Sequence, residues 1–186
     1  MKSLDKICRE VGEWSTHNFG FQETRYMVGD LNGSVALPDG DVITVRLGST
    51  APLMGIAEEL GELFESGSHD GFADAIADMV IYAMDYTCRE GMFWPQDIRL
   101  ADKEEEFDAI TGVVVMVGRL FHANLKRHQG IRGFERDGVY EEAREAALVR
   151  LVYYLMLVCE DVVGSTLESV VNETWEKVVK KRDWRK

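Results

Sequence analysis

Cysteine is scarce in this chain: three in 186 residues, at positions 8, 88 and 159. The number is odd, the spacing is wide, and no C-x-x-C pair occurs. That argues against a zinc site and more strongly against a disulfide framework. Cys88 and Cys159 fall in apolar helical runs and read as core thiols of a reduced, cytoplasmic protein. Positive charge is also short. Lys and Arg number 21 against 33 Asp and Glu, a formal net charge of −12. Phosphate repulsion would act across most of such a surface, which argues against a general nucleic-acid or anionic-membrane binder. A small phosphorylated ligand, held locally or through a metal, stays open. Long hydrophobic runs are missing too. The most apolar stretch, Leu148 to Val158, is too short to cross a bilayer and contains Arg150. The opening MKSLDKICREVGEW carries scattered charge and no apolar centre, so it does not read as a signal peptide.

What is present is a globular composition, 46% hydrophobic, enough for one domain spanning residues 1–186 with a sizeable core. The fold class expected is all-α. Leu4, Ile7, Cys8, Val11 and Trp14 recur at helical spacing and predict a first helix from Ser3 to about Thr16. Residues 30–48 change character. Short β-prone runs flank Pro38-Asp39-Gly40, which predicts a small β-hairpin appended to the helical body. Thr50 as N-cap and Pro52 in the first turn predict a second helix to about Ser66. A third is expected from about Phe72 to Glu90, stopped by Gly91 with Pro95 beyond, and a fourth from about Asp102 to His128. A fifth is expected from Tyr140 to Val163. Ser165 and Glu168 suggest a capping box for a last helix reaching Trp184.

Five acids stand out on two of these helices. Glu58, Glu59 and Glu62 lie in "GIAEELGELF", and Asp74 and Asp78 in "FADAIADMV". Their spacings of three and four put each set on one helix surface, among Ile56, Leu60, Leu63, Ile76, Met79 and Val80. Acids gathered on an apolar stretch repel one another and resist ionising unless a cation lies between them. A hard divalent cation with oxygen ligands, Mg²⁺ above all, suits that role. The plainer alternative is a solvated, charge-rich helix face.

The chain repeats internally. "GIAEELGELF" (55–64) superposes on "GVVVMVGRLF" (112–121), matching both glycines, the leucine and the phenylalanine. Each copy precedes an apolar helix with a tyrosine and a cysteine, Tyr82 and Cys88, then Tyr153 and Cys159. The expectation is a duplicated helical hairpin forming a four-helix bundle, with flanking N- and C-terminal helices and repeats of about 1–95 and 96–186. Glu58, Glu59 and Glu62 match Val115, Met116 and Arg119, so only the first copy keeps its acids.

"RLFHANLKRHQGIRG" concentrates Arg119, His122, Lys126, Arg127, His128 and Arg132. Two readings stand side by side: phosphate contacts, with Lys126, Arg132 and Arg119 as candidates, or basic residues complementing a helix dipole. No Glu-x-x-His accompanies the acids, which weakens a di-iron reading. Trp14 and Gln22 have the chemistry to stack on and hydrogen-bond a base, although a core position is the plainer reading of Trp14.

"EELGE" (58–62) resembles the first half of the E-E-x-x-E … E-x-x-D motif of MazG-like all-α nucleoside triphosphate pyrophosphatases. Asp78 takes the motif's final Asp; Ala75 stands where its Glu is expected, with Asp74 one residue earlier. "EVGEWSTHNFG", "HANLKRHQGIRG" and "TWEKVVKKRDW" are similar to strings in small members of that group, and the duplicated layout looks like its dimeric dUTPase branch. The resemblance implies hydrolysis of a (deoxy)nucleoside triphosphate to monophosphate and pyrophosphate, in house-cleaning of the nucleotide pool. It also implies Mg²⁺, with Mn²⁺ as a substitute, and assembly into a homodimer or higher homo-oligomer. Glu59, Glu62 and Asp78 are the first choice as metal ligands, Glu58 and Asp74 the next, with Glu59 or Glu62 as catalytic base. The alternative is a bundle that binds nucleotide or metal without turnover because Ala75 leaves the site incomplete.

Overall fold

A computed structural model of the chain describes residues 1–19, 35–36, 42–43, 49–95, 98, 107–133, 137–177 and 179–182. Among these the fold is all-α in its body. The helices are α1 (Leu4–Phe19), α2 (Thr50–Glu65), α3 (His69–Arg89), α4 (Ala109–Gln129), α5 (Asp137–Val158) and α6 (Leu167–Lys177). A π-helical segment, Cys159–Val163, prolongs α5, and a 3-10 turn, Val179–Lys181, follows α6. Of the hairpin expected near residues 30–48, the described part is β1 (Val35–Ala36) and β2 (Val42–Ile43), paired antiparallel with Val35 opposite Ile43. Its turn, Pro38-Asp39-Gly40, lies outside the described residues. Among the described residues, no helix is long and apolar enough to cross a membrane.

Helix ends differ from the sequence expectations where a side chain caps the backbone. The third helix starts at His69 rather than Phe72, because Ser68 Oγ accepts the free N–H of Gly71 at 3.1 Å. The fourth starts at Ala109 rather than Asp102. Asp108 is its N-cap, accepting from Thr111 N at 3.0 Å, and the acidic run 102–106 lies outside the described residues. Thr166, not Ser165, caps α6 through a 3.2 Å bond from Ser169 N. That helix ends at Lys177 rather than Trp184. Ser49 precedes α2 without a side-chain bond, and Thr50 is already helical.

Two antiparallel pairs, α2 with α3 and α4 with α5, are the most extensive helix contacts. In both, a glycine lets the helices close on a tyrosine. A Cβ on Gly55 would meet the Tyr82 ring at 2.6 Å, and one on Gly112 would meet the Tyr154 ring at 2.2 Å. The ring in the second hairpin is therefore Tyr154, not the Tyr153 matched by sequence. The other two matched glycines, Gly61 and Gly118, face open space.

Helix α3 is the centre. It packs on α2, α1, α6 and the π-segment. It is accordingly buried nearly all round, at Ala75, Ile76, Ala77, Met79, Val80, Ile81, Ala83, Met84, Tyr86 and Thr87. Within the largely apolar contact of α3 with the second hairpin lies a polar cluster. Asn124 donates to Tyr86 Oη (3.0 Å) and accepts from Tyr140 Oη (2.9 Å), so no member of the buried trio lacks a partner. Beside it, Arg144 lies over the Tyr140 ring at 4.7 Å and pairs with Glu90 of the chain just beyond α3.

A clamp joins α1 to α6. Lys2 Nζ bonds Glu10 Oε2 at 2.6 Å and also Glu176, and Trp175 Nε1 donates to Glu10 at 2.9 Å. Lys2 and Trp175 hold the Glu10 carboxyl down to about 2. Trp14 stands edge-on to Trp175, centroids 6.0 Å apart, and donates its indole N–H to the carbonyl of Arg182 at 3.0 Å. The chain after α6 is thereby tied to α1.

Candidate functional site

Helices α2 and α3 are joined by only Ser66, Gly67 and Ser68, so the second half of α2 runs back beside the first half of α3. This places Glu59 opposite the Asp74–Asp78 stretch. Helical spacing turns Glu59 inward, only 7% exposed, while Glu58 and Glu62 point outward. Asp78 is half-buried and Asp74 is exposed. The match with the second hairpin holds at the positions of Glu59 and Glu62. Met116, the counterpart of Glu59, is buried, and Arg119, the counterpart of Glu62, is exposed. The inward face was legible in that comparison for one acid of the three.

The electrostatics tie the five acids into one cluster. Burial pushes the Glu59 carboxyl up to about 8, and the next causes are the charges of Asp78, Glu62, Glu58 and Asp74. Burial and then Asp74 push Asp78 up to about 6. Tyr82 is raised as well, by burial and then by Glu59, Glu58 and Asp78. The four charges acting most on Glu59 are all negative, so near neutral pH this carboxyl keeps its proton.

Among the described residues, Arg182 opposes this field. Arg182 lowers the titration of both Asp78 and Tyr82. It lies far along the chain in a tail that reads as solvated. The bond from Trp14 to its carbonyl helps hold it here, and no local pattern in the sequence signals that. Trp14, a candidate for base contact, is thus held between Trp175 and Arg182; Gln22 lies outside the described residues.

The charges acting most on Glu59 and Asp78 include none of the basic candidates of α4 and the loop after it. Lys126 donates to Gln129 at 2.9 Å, Arg127 lies over the Tyr140 ring at 5.4 Å, and Arg119 is exposed on α4. Arg132 is exposed in the loop after α4 with a positive φ of 60°. The bonds of Asn124 to Tyr86 tie this end of α4 to the far end of α3, about 12 Å along the axis from Asp78.

A cleft of about 480 Å³ opens beside Asp74. It lies between the start of α3 and α6, lined by Asp70, Asp74, Val170, Glu173, Thr174 and Lys177 among others, and Lys177 is paired with Glu173. The donor set of the cluster is wholly carboxylate, the chemistry that a hard divalent cation takes. Among the described residues, no three Asp, Glu, His or Cys side chains form a group arranged to hold a metal ion. The fit is therefore one of donor chemistry, not of preformed coordination. No protein-family model, curated protein or solved structure matches the chain.

Proposed function

We propose that the protein hydrolyses a (deoxy)nucleoside triphosphate to the monophosphate and pyrophosphate. In this reading Mg²⁺, or Mn²⁺ in its place, is held by Glu58, Glu59, Glu62, Asp74 and Asp78. The observation that carries it is Glu59, a buried carboxyl whose strongest charged neighbours are four other carboxylates. Such an arrangement is costly unless a cation is meant to share it. When bound, the cation would neutralise phosphate charge and polarise a water. The chain's own residues supply the rest. Glu59 keeps its proton near neutral pH while no cation is bound, so it would serve as base only once a bound cation draws that proton off; exposed Glu62 is the second candidate for that role. Arg182 is the cation placed to meet phosphate oxygens beside Asp78. Asp74, one helical turn before Asp78, substitutes for the carboxylate that Ala75 lacks. Ala75 itself is 2% exposed in the core, where no acid would be tolerated.

We also read α2–α3 and α4–α5 as two copies of one unit forming a four-helix bundle. The paired Gly55–Tyr82 and Gly112–Tyr154 contacts support this, as does the shared burial of Glu59 and Met116. The substrate, a cytoplasmic setting and a homo-oligomeric state belong to the same proposal.

Ala75 favours a second reading, a site that binds nucleotide without turnover. Glu59→Gln and Asp78→Asn separate the two. Under the first reading both variants keep wild-type helicity and lose pyrophosphate release. Under the second, calorimetry detects nucleotide binding to the wild type and no pyrophosphate is released by any form.

A further inference from the structure

We propose that Cys8 and Cys88 are a reversible redox pair that closes into a disulfide between α1 and α3. The two are 80 residues apart in sequence, yet their Sγ atoms lie 3.8 Å from each other. A disulfide needs about 2.05 Å, so the sulfurs must approach by about 1.8 Å, within reach of side-chain rotation at two cysteines. The packing leaves room for it. Cys88 Sγ occupies the space that a side chain at position 12 would take, since a Cβ on Gly12 would meet it at 2.8 Å. Each thiol also has a main-chain acceptor across the helix pair, Cys88 with the carbonyl of Cys8 at 3.5 Å and Cys8 with that of Met84 at 3.9 Å.

The two cysteines differ in the way a redox pair requires. Cys88 is half-buried and open to a small oxidant, whereas Cys8 is 5% exposed. The hydrogen bond with Cys8 lowers the Cys88 thiol against the opposing effects of burial and Asp85, and the Cys8 thiol is pushed up. With a peroxide as oxidant, the Cys88 thiolate attacks one peroxide oxygen. The O–O bond breaks, hydroxide leaves, and Cys88 becomes a sulfenic acid. Cys8 then attacks the Cys88 sulfur. The S–S bond forms, the S–O bond breaks, and the departing hydroxide takes the Cys8 proton as water. Two thiols lose two electrons, and the peroxide is reduced to two waters. The bridge pins α1, which holds Trp14 and through it Arg182, to the helix that carries Asp78.

The test treats the folded full chain with stoichiometric hydrogen peroxide, counts thiols and maps peptides without reductant. The expected result is a fall from three free thiols to one, a linked Cys8–Cys88 peptide pair, and recovery of all three thiols with dithiothreitol. In Cys8→Ser, Cys88 should stop at the sulfenic acid and be trapped by dimedone with no linked pair. Wild type that keeps three thiols, that carries oxidised Cys88 without a link, or that links through Cys159 overturns the proposal.

Discussion

The ring of Tyr82 stands where the side chain of Gly55 would begin, 2.6 Å from an ideal Cβ. Tyr82 is also one of the groups that feel the acid cluster. The closeness of α2 and α3, and hence the crowding of their carboxylates, depends on this glycine. Gly55→Ala should destabilise the fold by about 1–3 kcal/mol through overpacking, and Gly112→Ala should do the same against Tyr154. Gly61→Ala and Gly118→Ala meet nothing within 4 Å and sit on exposed helix surface. They should stabilise by about 0.5–1 kcal/mol through helix propensity alone. Urea unfolding of the four variants checks both signs.

Glu59 and Asp78 make stability depend on pH in a definite direction. Their folded values of about 8 and about 6 lie above the ordinary 4.5 and 3.8. The folded state therefore holds their protons more tightly than the unfolded one. Their contribution is full below the ordinary values and is lost as pH rises through the folded ones. Glu10 does not enter this window, because its share is lost only in strong acid. In metal-free buffer Tm should fall between about pH 5 and pH 8, and Glu59→Gln should remove most of the slope. A slope of the same size in Glu59→Gln would reject the assignment.

Arg182 restrains Asp78, so Arg182→Gln should raise the Asp78 titration midpoint above that of wild type, read by carbon NMR of the side-chain carboxyl. Trp14→Phe keeps an aromatic ring beside Trp175 but loses the indole donor to the Arg182 carbonyl. It should shift the midpoint in the same direction by less.

Asn124 is the hinge of the polar contact between the two hairpins. Its amide serves Tyr86 and its carbonyl serves Tyr140, all three buried. Asn124→Ala leaves both hydroxyls short of that partner and should cost about 1–3 kcal/mol in thermal or urea unfolding. Tyr140→Phe removes one bond without leaving a cavity and should cost less.

The parts of this molecule governed by local pattern were readable from the chain. Helical spacing located the six helices of the described residues, and the match of Gly55 with Gly112 is what suggests two copies of one hairpin. Setting Glu59 against Met116 singled out an inward face. What escaped depends on contacts between distant segments. Asp108 and Thr166 cap their helices in place of neighbours with equally suitable chemistry, because cap choice follows where packing lets each helix begin. Arg182 is tied to Trp14 of the first helix, and Cys8 meets Cys88 where α1 crosses α3 at Gly12. No residue spacing encodes either meeting.

The central claim is that the carboxylates of α2 and α3 perform metal-dependent chemistry on a nucleotide. The most direct measurement is pyrophosphate release from each (deoxy)nucleoside triphosphate, with Mg²⁺ and with a chelator, by wild type and by Glu59→Gln at equal helicity. The account predicts release from at least one nucleotide that requires Mg²⁺ and falls to background in Glu59→Gln. Folded wild type that releases no pyrophosphate from any nucleotide, or a Glu59→Gln variant with unchanged turnover, would contradict it.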